Sequence, residues 1–226
     1  YVCVAVEQFA FGAGIGEDIS DRHAAQTQRN FAWRDYGQRV GLWRLIETLD
    51  ALCIPVSFAV NSLVFSMQPR LGERLLGRRP AIVAHGRTSS ESQSGMWPDD
   101  EAQLIQSTTQ TIARATGKTP AGWISPGIAE SRATLDLLAE AGYKYVLDWA
   151  ADDQPIWMRT RSGRLMAIPY SLELDDVTAM LHRHHSGREF ADILVNQFDE
   201  MLDESGSRPL VLPIVLHPYI VGMPYG

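Results

Sequence analysis

Cysteine is scarce in this chain, with two in 226 residues, Cys3 and Cys53. Each lies inside or beside an apolar run and reads as a buried thiol, so no disulfide framework organises the fold, although the sequence alone leaves a single bridge open. Clustered basic residues are also lacking. The 20 Lys and Arg are scattered and the net charge is −7, which argues against a nucleic-acid surface, since phosphate binding needs concentrated positive charge. No run approaches the roughly 18 consecutive apolar residues of a membrane span. No basic segment followed by an apolar one precedes the first strand, so no membrane partner and a cytoplasmic setting are expected. Two further absences concern cofactors: there is no dinucleotide-type glycine fingerprint after the first strand, and no GxxxxGK[ST] phosphate loop.

What is present is a composition of 45% apolar and 21% charged residues, ordinary for a globular protein. The length suits a single catalytic domain over residues 1–226 with a large core. The end from Tyr219 to Gly226 lacks the helix that a last strand usually feeds, so a truncated C-terminus is expected.

Apolar, β-branched runs predict strands at Tyr1–Val6, Pro55–Val60, Ala81–Ala84, Gly122–Ile124, Lys144–Trp149 and Leu210–His217, and alternation about Ser162-Gly163 predicts a hairpin over Ile156–Tyr170. Helical spacing predicts helices from Tyr36 to Leu52, near Leu71–Leu76, over Asp99–Ala115 behind an acidic start, from Ser131 to Ala141, and over Glu189–Leu202. Strands alternating with helices imply a parallel α/β sheet, doubly wound or closed as a barrel. The stretch from Phe9 to Trp33 reads as a long loop able to fold over a pocket.

Chemistry in such folds collects at the carboxyl ends of the strands. Of six histidines, only His85 and His217 end an apolar run that reads as a buried strand. With them at strand ends come Glu7, Ser125, Asp148, Asp152, Asp153 and Tyr219. Hydrolysis of an amide-like bond needs a base for water, an acid for the leaving nitrogen and donors for the oxyanion, and this set can supply all three. The candidates for catalysis are therefore Glu7, His85, Asp152, Asp153 and His217. Those for substrate binding are Arg34, Asp35, Tyr36, Arg87, Trp149 and Tyr219. For Asp35 a helix N-cap is the plainer role, for Asp148 a cap or ion pair. His182, His184 and His185 lie in a polar stretch without a second ligand cluster and do not suggest a metal site.

These residues, in this order, resemble the polysaccharide deacetylase (NodB-homology) superfamily: Glu7, His85-Gly86, Ser125-Pro126-Gly127, Asp148-Trp149 with Asp152-Asp153-Gln154-Pro155, and Leu216-His217-Pro218. Within it, Arg34-Asp35-Tyr36-Gly37 and the Asp-Asp-Gln-Pro segment look most like the allantoinase-like and cyclic-imide-hydrolase-like branch. The resemblance implies an irregular (β/α)7 barrel and hydrolysis of a non-peptide carbon–nitrogen bond in a small amide, ureide or imide. Departures from the pattern bear on the metal. The first strand of the deacetylases ends in two aspartates, whereas here it ends in Val6-Glu7-Gln8. Their His-x-x-x-His is His85-Gly86-Arg87-Thr88-Ser89, with a hydroxyl where the second imidazole ligand belongs, and their third-motif arginine is Ser125. A reaction without a metal cofactor is expected. The alternatives are a metal such as zinc held by Glu7 and His85 with Glu91 or one aspartate of the pair Asp152 and Asp153, as in a carbohydrate N-deacetylase with altered ligands, or a relative that binds without turnover. A homo-oligomer is left open.

Overall fold

Residues Val2–Val6 form β1, and their alternation sets the plan of the molecule. Val4 and Val6 pack outward against Leu42 and Ile46, whereas Cys3 faces a second cluster with Ala59, Val83, Ile124 and Val215. The remaining strands are β2 (Ser57–Val60), β3 (Ala81–Ala84), β4 (Gly122–Trp123), β5 (Tyr145–Val146), β6 (Ile156–Thr160), β7 (Gly163–Ala167) and β8 (Ile214–Leu216). In the computed structural model, which describes residues 1–12 and 27–224, they form one sheet ordered β6-β7-β5-β4-β3-β2-β1-β8. Every pairing is parallel except the β6–β7 hairpin.

The sheet curls into an irregular barrel. Its open side is drawn in by the segment after β7: Val215 N donates to Leu174 O at 3.3 Å, Asp175 bridges to Val215, and the Tyr1 hydroxyl donates to Pro169 O at 2.8 Å. The expected strands and the hairpin are present, with β4 and β5 shortened to two residues each.

Helices α1 (Gln28–Tyr36), α2 (Leu42–Ala51), α3 (Val64–Met67), α4 (Pro69–Leu76), α5 (Pro98–Thr116), α6 (Thr134–Glu140) and α7 (Gly187–Glu204) surround the sheet. None among the described residues is long and apolar enough to cross a membrane. Thr27 caps α1 by accepting from Asn30 N, and a π-helical stretch, Gly37–Gly41, joins α1 to α2. The end of the expected long loop is thus helical, and residues 13–26 lie outside the described residues. Both cysteines are free thiols. Cys53 is exposed rather than buried, because α2 ends at Ala51 and the chain turns outward there with a positive φ of 53°.

Gly86, directly after β3 and His85, is fixed by its backbone. Its φ is +63°, and a Cβ there would stand 2.8 Å from Pro126 Cγ. Gly86→Ala is expected to destabilise the protein by roughly 1–2 kcal/mol from the left-handed backbone alone, read as a lower denaturant midpoint with an unchanged slope.

Candidate active site

The inward face of each strand ends in a side chain that can do chemistry. On β1 the inward series is Cys3, Ala5, Glu7; on β3 Val83 is followed two residues on by His85; on β8 Val215 is followed by His217. Because β3, β2, β1 and β8 are successive neighbours, all three groups reach one end of the barrel. Glu7 sits between the imidazoles, with Oε1 3.6 Å from His85 Nε2 and Oε2 3.9 Å from His217 Nε2. His85 Nδ1 donates to Ile124 O at 2.8 Å, which leaves Nε2 as the acceptor nitrogen of the neutral ring. The loop ends are held by Asn61, which accepts from Gln8 N at 2.7 Å and from Ser89 Oγ at 3.1 Å, and donates to His85 O.

Under His217 lies a second layer. Its Nδ1 donates to Asp176 Oδ1 at 2.6 Å, and its backbone N donates to Oδ2 at 2.7 Å. Asp175 accepts from Val177 N at 2.7 Å and from the Tyr170 hydroxyl. Burial alone would lower the pKa of His217, but the charges of Asp176 and Asp175 raise it to about 10, so the ring is cationic at neutral pH. Burial pushes Asp176 up to about 6 against the pull of His217. For Glu7, burial also favours the neutral acid, yet the facing His85 ring, the positive charge of His217 and the Ser89 hydroxyl bring it down to about 2. Glu7 is therefore a carboxylate whose Oε2 is buried without a hydrogen-bond partner among the described residues. The Glu7 side chain lines a cavity of about 280 Å³.

Among the other residues singled out in the sequence, Arg34 and Tyr219 line this cavity, with the Arg34 guanidinium carbon 4.2 Å from the Phe9 ring centroid. Ser89, Glu91 and Ser125 line it too, whereas Asp35, Tyr36, Arg87, Trp149, Asp152 and Asp153 do not reach it. Asp35 lies inside α1 and pairs with Arg39 one turn on, so it is not a cap, and Tyr36 takes its contact from Arg44 at 3.4 Å. Arg87 is turned outward to Glu91, Nε to Oε2 at 2.9 Å. Trp149 donates to Glu130 at 3.1 Å, and burial followed by the nearby Asp148 pushes Glu130 up to about 8. Asp148 accepts from Ser125 N at 2.8 Å. Asp152 and Asp153 are exposed and border a different hollow, because the chain leaves the barrel after the two-residue β5. The carboxylates beside His217 are instead Asp175 and Asp176. The one signal for them in the sequence is an acidic pair set between apolar Leu174 and Val177.

Among the described residues one His/Cys/Asp/Glu trio, Asp175, Asp176 and His217, brings its donor atoms within 4.8 Å of one another. It does not fit zinc. Two ligands at zinc distances and a tetrahedral angle stand roughly 3.3 Å apart. His217 Nδ1 and Asp176 Oδ1 are 2.6 Å apart and share a proton, so the nitrogen has no lone pair to offer. Nor does a set form around Glu7 and His85, since Ser89 supplies a hydroxyl, Glu91 is held by Arg87, and Asp152 and Asp153 are elsewhere.

A curled parallel sheet edged by an antiparallel hairpin is the fold the superfamily resemblance implies, and solved structures share it. The chain has the polysaccharide-deacetylase (NodB-homology) fold. It superposes on a PuuE allantoinase with a TM-score of 0.89 at 22% identity, covering 99% of this chain and 78% of that one. A probable polysaccharide deacetylase from Pseudomonas aeruginosa PAO1 gives 0.88 at 21%, covering 99% and 79%. More distant is a CE4 family pseudoenzyme from Bacillus anthracis, with 0.56 at 11%, covering 96% and 54%. No family model matches the chain, and no curated protein matches it by sequence.

Proposed function

We propose that this protein hydrolyses a carbon–nitrogen bond other than a peptide bond, in a small amide, ureide or imide, without a metal ion. The observation that carries the reading is the buried Glu7 carboxylate held between two imidazole Nε2 atoms in a cavity of small-molecule size. A water placed against the Glu7 carboxylate and His85 Nε2 gives its proton to His85 as its oxygen bonds to the substrate carbonyl carbon. At a pKa of about 2 Glu7 is a weak base, so its part is to hold that water and stabilise the imidazolium that forms. His217, cationic through Asp176, donates its Nε2 proton to the nitrogen as the carbon–nitrogen bond breaks. Arg34 offers its guanidinium to the carbonyl oxygen.

The allantoinase and deacetylase likenesses support the reaction class and leave the substrate to experiment. Ureides including allantoin, cyclic imides and N-acetylated sugars should be screened with chelator-treated and untreated protein. Turnover within twofold between the two preparations is expected. Stoichiometric zinc whose removal abolishes turnover would overturn the metal-free mechanism, and no turnover of any class would favour a binding protein.

A further inference from the structure

We propose that the barrel interior beneath Glu7 is an apolar shaft that takes a hydrocarbon substituent several carbons long, making the preferred ligands alkyl- or aryl-bearing amides, imides or ureides. This deepens the hydrolase reading and rests on it for the placement of the polar head.

The cavity does not stop at the polar end. Its wall follows β1 inward from Glu7 past Ala5 to Cys3, a path of about 13 Å at strand spacing. Parallel barrels fill this space with layers of Val, Ile and Leu. Here Ala5 and Ala59 are register partners on adjacent strands, so two methyl groups stand side by side where two branched side chains would meet. Cys3, Ile124, Val215 and the face of Tyr170 complete the wall.

The polar groups along the shaft are already engaged. Burial pushes the Cys3 thiol up to about 11, so it is neutral. The Ser57 hydroxyl, on the register partner of Cys3, is spent on Val2 O at 3.1 Å, and the Tyr170 hydroxyl is turned to Asp175. A polar substituent there would lose its water without gaining a partner, whereas a hydrocarbon gains by leaving water. Glu7, Arg34, His85 and His217 stand at the other end, and Asp175, which also lines the cavity and bridges to Val215, is already engaged by Val177 N and the Tyr170 hydroxyl, so the cavity fits a polar head and an apolar tail.

The test is calorimetric binding to the full chain at pH 7 of straight-chain primary amides, from acetamide through butanamide and hexanamide to octanamide. Affinity is expected to rise roughly threefold to fourfold with each added methylene until the shaft is full. Ala59→Leu, and the milder Ala5→Val, should flatten the rise for the longer amides while leaving acetamide unchanged, with near-ultraviolet circular dichroism showing that each variant is folded. A flat series in the wild-type protein, or an undiminished slope in the folded variants, would overturn the shaft. If neither variant folds, the wild-type series still decides. A steep series without hydrolysis of any compound supports the shaft and removes only the hydrolase reading. Hydrolysis with no dependence on chain length removes only the shaft.

Discussion

Glu7→Gln should lower kcat/KM by about 10²–10³-fold on any substrate the screen identifies, with KM changed far less than kcat. Glutamine keeps the volume and an oxygen but removes the negative charge that faces both imidazoles at 3.6 and 3.9 Å. The loss belongs to the transition state, because the charge on His85 develops only as it accepts the proton from water. His217→Ala should cost a similar factor by removing the donor to the leaving nitrogen. The double variant should be little worse than the poorer single one, since the three groups act as a unit. Wild-type rates in Glu7→Gln would remove the carboxylate from the mechanism.

Asp176→Asn should change the pH profile as well as the rate. In the wild-type protein His217 must carry a proton to act as the acid, and its pKa lies at about 10. Activity should therefore persist through neutral pH and fall as the pH rises through about 10, where His217 loses that proton. The substituted amide oxygen still accepts from Nδ1 but no longer opposes the positive charge, so the alkaline limb should move down by roughly one to three pH units. Glu7, ionised down to about pH 2, contributes no limb in this range. Breaking a buried charge pair by removing one partner typically costs about 3–5 kcal/mol, so the variant should also unfold at lower temperature. An alkaline limb that stays near 10 in a folded Asp176→Asn protein would show that another group is the acid.

The spacing of a strand is enough to locate Glu7, His85 and His217, because a side-chain period of two carries the core residues Ala5, Val83 and Val215 forward to the barrel end. Asp175 and Asp176 are not legible in that way. They lie in an irregular segment joined to β8 by a single bridge, so no apolar run announces them. Asp152 and Asp153 draw attention in their place as an acidic pair after a strand-like run, but β5 ends at Val146 and the chain has left the barrel by then. Helix α1 is hidden for a different reason: its sequence is polar, and it is started by Thr27 and continued by the π-helical Gly37–Gly41 rather than by an apolar stripe. Cys53 misleads because its apolar neighbours close one element and open the next, while the residue itself turns to solvent between them.

The β1–β8 seam has a further consequence for how the molecule comes to be active. Val2 pairs with Ile214, and Ile214 N donates to Tyr1 O at 2.9 Å, so Glu7 and His217, the proposed water-holding carboxylate and proton donor, come from strands more than two hundred residues apart in the chain. Closing so distant a contact is entropically late and slow compared with local helix formation. A growing polypeptide emerging from the ribosome would already have β1 to β7 and their helices available, yet hold no acid beside Glu7 until β8 is made. On the proposed mechanism catalytic competence waits on the eighth strand, and shorter nascent chains carry an inert half-site.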